Sequence, residues 1–316
     1  MSALAAIVIS RDGASGARAL LRCLQGQTLS DLEVVLVTPG RCVTQADGPL
    51  LEGFGRVVRV EHEVTTTSLA RAAGIAAATA PLVVLTEDHS LPEPGWAEAL
   101  VRAHGDGVAA VGPEVANGNP GSLLGWANFL IEYGEWCAPA AGGARLHLPG
   151  HNSAYRRDLL LALGDALPAW LDAESLLHRH LRSLGHEVRL CPDARTAHYN
   201  FSRFCPSLVL RFQAGRLFAG ARRRPWSWPR RLAYAGGAPA IPWVRLGRVV
   251  RELLRPGRPT HLLPRLAPLL ALLLSVDAAG ECVGYLAGGG DAARYISDID
   301  FHRERFMSDS EGASLR

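Results

Sequence analysis

No lysine occurs anywhere in the 316-residue chain, and all 33 basic side chains are arginine. A GC-rich coding sequence leaves this bias, and it makes every cationic surface a guanidinium surface. The six cysteines are scattered and form no Cys-x-x-Cys pair, which excludes a disulfide framework and leaves reduced, mostly buried thiols in a cytosolic setting. The opening residues run straight into a strand pattern, with no basic segment followed by a long apolar one, so no signal peptide is expected. A long uninterrupted apolar run is missing too. The most leucine-rich stretch, Leu262 to Val276, carries Pro264, Arg265 and Pro268, and its apolar core of eleven residues falls short of the ~20 that cross a bilayer. It reads as a helix lying in a membrane surface or docked on another domain.

The charges that are present are unevenly spread. Net charge is only +3, yet between Arg203 and Arg258 thirteen arginines face a single carboxylate, Glu252. An anionic partner surface for the C-terminal third follows. Within it, Arg222 to Arg231 reads RRRPWSWPRR, which sets Trp226 and Trp228 between arginines, a combination suited to the boundary between lipid headgroups and acyl chains. No nucleic-acid module is recognisable, so nucleic acid is not the expected partner.

The most informative stretch is Ser68 to Trp96, SLARAAGIAAATAPLVVLTEDHSLPEPGW. Ser68 is placed to cap a helix, Ala70 to Thr79 is rich in the best helix former, and Pro81 ends it. Leu82 to Leu85 is a short apolar run with a β-branched centre, suited to an inner strand covered on both faces. Glu87, Asp88 and His89 follow directly. In open parallel sheets ligands bind beyond the carboxyl ends of the strands, so this triplet falls where a metal or phosphate site is expected; its plainer reading is an acidic turn before Pro92 and Pro94.

The rest of the first 200 residues supports that placement. Strand-like runs at Leu4 to Ser10, Glu33 to Thr38, Arg56 to Glu61, Leu82 to Thr86 and Val108 to Pro113 alternate with helical stretches near Ala17 to Gln25, Leu69 to Thr79 and Gly95 to His104. This is the pattern of a doubly wound α/β domain. Right-handed crossovers put the loops after the first, second and fourth strands on one edge of the sheet. A further helix is read at Asp172 to Leu184, and the aromatics Trp126, Phe129, Tyr133 and Trp136 lie in a Gly- and Pro-rich region read as an elaborated loop or helix.

Several of these segments resemble family 2 glycosyltransferases. The similarity rests on the opening β-α-β unit from LAAIVIS, the "AR.AGI" helix, the triplet with its "P.PGW" turn, the segment His151 to Leu163 after a "GHN" pattern, and the closing strand and turn from His186 to His198. The resemblance implies a GT-A type fold, a doubly wound mostly parallel sheet, and inverting transfer of a sugar from a nucleotide-sugar donor to a lipid-linked or polysaccharide acceptor. It also implies a divalent metal, Mg²⁺ or Mn²⁺, at the Asp-x-Asp position. Asp88 is the leading ligand there, Glu87 faces either ribose or metal, and His89 stands where a carboxylate is usual, either as a softer ligand or as a turn residue. His198 matches the histidine that ends the last strand, near the metal or diphosphate, with a satisfied core histidine as the alternative.

Counting back eleven residues from Gly185, as the family spacing implies, gives Glu174 as catalytic base, with Asp172 as its competitor. Ser10, Asp12, Thr38 and Arg71 fall at donor positions, and His151, Asn152 and Arg156 on the acceptor side. The family's "VDDGS" acids at the end of the second strand are missing, since the chain reads Val37, Thr38, Pro39, Gly40 there. A catalytically inactive scaffold or nucleotide-sugar-binding protein is the competing reading. The expected organisation is a catalytic domain over 1–203, an Arg/Trp- and Leu-rich helical, membrane-associating region over 204–290, and a polar tail over 291–316, disordered from Ser308. The chain is expected to work in the cytoplasm, peripheral on an anionic inner membrane face.

Overall fold

The computed structural model describes residues 2–42 and 45–315. In chain order the elements are β1 Leu4–Ile9, α1 Arg18–Gln25, β2 Leu32–Thr38, β3 Arg56–Glu61, α2 Thr67–Ala77, β4 Leu82–Leu85, β5 Ser90–Pro92, α3 Trp96–Ala103, β6 Val108–Asn117, α4 Leu123–Tyr133, β7 Gly143–Ala144, β8 Ala154–Arg156, α5 Arg157–Leu161, α6 Leu167–Leu171, α7 Glu174–Ser183 and β9 Glu187–His198. Helices follow: α8 Phe204–Arg222, α9 Trp228–Gly237, α10 Ile241–Leu253, α11 Leu263–Ala287, α12 Ala292–Asp300 and α13 Asp309–Gly312. They pack as two units. The first comprises Met1–Ala116, Ala140–His198 and Ala313–Arg316, the second Asn117–Pro139 and Tyr199–Gly312. The aromatic segment of α4 therefore groups with the C-terminal helices, which a single boundary at 203 would separate.

In the first unit one mixed sheet runs in the order β3-β2-β1-β4-β8-β6-β9-β5, with β7 also paired to β9. β3, β2, β1 and β4 are mutually parallel, so the residues after their last positions share one edge. β1 and β2 are buried along their whole length, β1 as an unbroken apolar run and β2 with Glu33 and Thr38 drawn in at its two ends. α2 lies against them closely because Gly74 has no side chain: a Cβ there would come within 2.5 Å of Ile7 and 3.0 Å of Val37. The expected doubly wound α/β architecture is what forms. Thr66, not Ser68, caps α2, its hydroxyl accepting from the Leu69 N–H at 3.3 Å.

The second unit is helical. α11 extends over 25 residues, far past the eleven-residue apolar core. Pro264 sits in its first turn, where backbone N–H groups have no intrahelical acceptor and a missing one costs little. Trp226 is buried, packed on Tyr234 and Tyr285, and so takes part in a core and not in a lipid boundary. The segment after Ser308, expected to be disordered, forms α13, and Glu311 accepts from the hydroxyls of Ser202 at 2.5 Å and Ser308 at 2.6 Å.

Candidate active site

The strand register brings four segments of the first unit together. Parallel β4 ends at Leu85 and delivers Glu87, Asp88 and His89 at the carboxyl edge. β8 runs antiparallel to β4 with Val84 opposite Ala154, so His151, Asn152 and Ser153 arrive at that same edge from the other direction. β5 pairs antiparallel with β9, Ser90 opposite His198, which sets the last residue of β9 beside the triplet. Asn152 fastens the arrangement. It has φ of 54°, a left-handed conformation that Asn adopts more readily than most residues, and its amide donates to the Ser90 carbonyl at 3.0 Å and hydroxyl at 2.8 Å.

Glu87 is the centre of the site. Its Oε2 lies 3.1 Å from His89 Nε2, 3.5 Å from His151 Nδ1 and 3.7 Å from His198 Nε2. Ligand atoms of Glu87, His151 and His198 all fall within 4.8 Å of one another. Its Oε1 accepts from the Arg71 guanidinium at 3.1 Å, and a second nitrogen of the same guanidinium holds Glu174 Oε1 at 3.1 Å. Arg71 is 5% exposed at its side chain whereas Glu87 and Glu174 keep 21% and 27%, so an incoming ligand meets the carboxylates and not the cation that organises them.

The local sequence explains how Glu174 gets there. It opens α7, where a carboxylate complements the helix dipole. Its side chain lies over Gly150: a Cβ at that position would sit 2.4 Å from the Glu174 carboxyl carbon. Glycine is needed for this close approach.

The same burial moves the site's titrations in opposite directions. Desolvation raises Glu87, but its interactions with the imidazoles of His151, His198 and His89 outweigh it and hold the carboxylate well below its ordinary range. His151 is pushed down to about 3 by burial, against the pull of Glu87, so it is a neutral imidazole near neutrality. Glu174 is raised, chiefly by burial, with Arg71 opposing and Glu87 and Asp172 adding repulsion.

The expected site residues sort clearly. Glu87, Arg71, Glu174, His151 and His198 converge. Asp88 and His89 bond to each other, Oδ1 to Nδ1 at 2.7 Å, and only Glu87 of the triplet joins the three-residue cluster. Ser10 and Thr38 are buried at the ends of β1 and β2 on the same edge, and the N–H of Asp12 donates to the Ser10 hydroxyl at 3.2 Å. Asp172 caps the C-terminus of α6, two residues before Glu174. Arg156 is not brought in: it pairs with Leu82 at the opposite end of β4 and binds Asp158 at 2.5 Å. Its neighbour Arg157 closes the end of α2, donating to the Ile75 and Ala76 carbonyls at 2.9 and 3.0 Å. His178 is a core residue, accepting from the Leu148 N–H at 3.3 Å and lying 2.9 Å from the Tyr155 hydroxyl.

Residues 6–164, half of the chain, match the family described as glycosyl transferase family 2. The chain belongs to this family. Solved structures of similar outline include GalNAc-T7 with UDP, GalNAc and Mn²⁺, at 12% identity and a TM-score of 0.49, covering 74% of this chain and 50% of that one. The chain thus spans half the length of GalNAc-T7. The mannosyltransferase PcManGT from Pyrobaculum calidifontis with GDP-Man and Mn²⁺ is 16% identical with a TM-score of 0.46, covering 99% of this chain and 84% of that one. S. aureus TarS 1-349 is 14% identical with a TM-score of 0.43, covering 96% and 92%. No curated protein matches the sequence.

Within the matched region lie Arg71, the triplet and His151; Glu174 and His198 lie beyond it. His151 as a member of a cation-sized cluster is what sequence reading missed, since "GHN" pointed to the acceptor side. The strand pairing that turns it toward Glu87 has no local signal.

Proposed function

We propose that this member of the family is an inverting glycosyltransferase that moves a sugar from a nucleotide-diphosphate donor to a hydroxyl of a lipid-linked or polysaccharide acceptor, with Glu174 as base. The observation that carries the reading is the shared guanidinium of Arg71, which holds Glu87 and Glu174 at 3.1 Å each from sequence separations of 16 and 103 residues.

One carboxylate and two buried imidazoles, one of them held neutral, form a donor set that fits a divalent transition ion such as Mn²⁺ better than Mg²⁺, which favours all-oxygen shells. Glu87, His151 and His198 are the residues that would hold it, with Asp88 and His89 adjoining. Bound there, such an ion would supply charge neutralisation to the departing diphosphate. Ser10, Asp12 and Thr38 line the edge where the nucleoside lies. Glu174, raised toward neutrality, takes the acceptor hydroxyl's proton as that oxygen bonds to the anomeric carbon and the bond from that carbon to the diphosphate oxygen breaks. Arg71 keeps Glu174 aimed and stabilises its ionised form. A lipid-linked acceptor is met at an anionic membrane surface on the cytoplasmic side, where we place the protein.

Glu174→Gln keeps shape and removes the base. It is expected to lower kcat by about 10²- to 10⁴-fold while leaving donor affinity by calorimetry intact. Unchanged turnover in that variant would falsify the assignment, and an absence of transfer in the wild-type chain alongside normal donor binding would favour the scaffold reading.

A further inference from the structure

The second unit carries a surface that sugar transfer does not use. Between Arg231 and Arg245 the chain reads LAYAGGAPAIPWV, thirteen residues without a charge. They form the end of α9, a tight helical turn at Ala238–Ala240 and the start of α10. One side is anchored, since Ala235, Ala238 and Pro242 are buried and Val249 and Leu253 continue the stripe along α10. The other side is open. Leu232 is 57% exposed, Trp243 71% and Val244 55%, and Trp228, one turn before Leu232, is 58% exposed. A run of exposed apolar side chains of this kind marks an interaction site. Arginines stand on both flanks, Arg224, Arg230 and Arg231 before it and Arg248, Arg251 and Arg255 after it, with no acid among the exposed residues between.

The leucine-rich helix is the other feature with membrane character, and its side chains are engaged elsewhere. Thr260–Ala287 is 28 residues long and contains an 18-residue window with a mean hydropathy of 1.7, enough by length and composition to cross a bilayer, but 44% of that window is buried within the protein. Asp277 and Glu281 on it are buried and face Arg245 of α10 at 2.6 and 3.5 Å. Gly280 and Gly284 let it touch the backbone of α8. These contacts dock one side of the helix inside its own unit.

We propose that the corner between α9 and α10, Leu232 to Val244, inserts into the interfacial layer of an anionic phospholipid bilayer, with the flanking arginines on the headgroups and α11 remaining outside the lipid. Tryptophan and guanidinium groups are the side chains that this layer accommodates best. The inference deepens the membrane placement proposed above, and its test reads binding without turnover.

The full chain is sedimented with phosphatidylcholine vesicles made with and without phosphatidylglycerol. Binding is expected with the anionic vesicles, weakened by salt, with a blue shift of tryptophan emission. The double variant Leu232→Ser/Trp243→Ser, at exposed positions that leave helical circular dichroism unchanged, is expected to partition about tenfold less. Alkaline carbonate is expected to release the bound protein. Equal binding to neutral vesicles, an unaffected double variant, retention in carbonate, RNA binding in place of vesicle binding, or self-association lost in the double variant would each overturn the proposal. Stabilisation of the double variant by nucleoside diphosphate, equal to wild type, separates a failure of docking from a failure of the transferase reading.

Discussion

Glu33 and Glu87 stand at opposite ends of the parallel strands, and each is drawn out of water, but they are held by different kinds of partner. Glu33, fully buried at the start of β2, accepts from the Thr79 N–H at 3.0 Å, the Thr79 hydroxyl at 2.9 Å and the Ala80 N–H at 2.8 Å. Its donors are mostly backbone, fixed where α2 turns into β4, with the half-exposed Arg56 guanidinium a further 3.7 Å neighbour. Among the described residues the Glu87 carboxylate is met by side chains, a guanidinium and three imidazoles, at the opening of the sheet edge. Imidazoles can exchange a proton or take up a metal. Glu33, fully buried and held mostly by backbone, is a structural fastening, whereas Glu87, partly exposed among imidazoles, is the candidate site.

Removing each acid breaks the comparison most forcibly. Glu87→Ala is expected to lower kcat/KM on the order of 10³-fold, the scale of losing metal-borne charge stabilisation, with little change in thermal unfolding. Glu33→Ala is expected to cost about 3 kcal/mol of stability, because several buried donors lose their acceptor, while folded molecules keep full activity. Inactive but folded Glu33→Ala protein would erase the distinction. A smaller effect comes from Gly150→Ala, whose methyl group would sit 2.4 Å from the Glu174 carboxyl carbon. That displacement is expected to reduce kcat about 10²-fold. Gly95→Ala, where an added Cβ meets nothing within 4 Å, serves as the control.

The smallest effect is the pH profile. Glu174 must be ionised to accept a proton, and burial raises it above 4.5, so kcat should rise with pH through a limb lying above the ordinary carboxylate range. A limb at or below that range would place the base elsewhere.

Much of this was legible in the sequence, and what was not has a physical cause. The apolar runs of β1, β2 and β4 and the Ala-rich α2 declare themselves locally, and with them the edge that carries Glu87. β5 and β8 are three residues long each and exist only because β9 and β4 are there to pair with. Their pairing turns His151 and His198 toward Glu87, so the cluster's membership depends on contacts between distant segments. Arg156 misled for the same reason: it follows "GHN" closely, but β8 carries it to the far end of β4. α11 misled in the opposite sense. Pro264 falls in its first turn, Pro268 is carried inside the helix, and its acids are paired with Arg245, a partner that local sequence does not reveal.

Glu87, held by Arg71 beside the proposed base Glu174, is proposed to belong to a donor site completed by a divalent ion. Thermal unfolding of the wild-type chain with nucleoside diphosphates, with Mn²⁺, with Mg²⁺ and with chelator, tests it most directly. The account predicts stabilisation by ~2.7 kcal/mol at 100 times the dissociation constant, present with Mn²⁺, weaker with Mg²⁺, and absent with chelator or in Glu87→Ala. Stabilisation that survives chelation and the loss of Glu87, or no stabilisation by any nucleoside diphosphate with either metal, would contradict it.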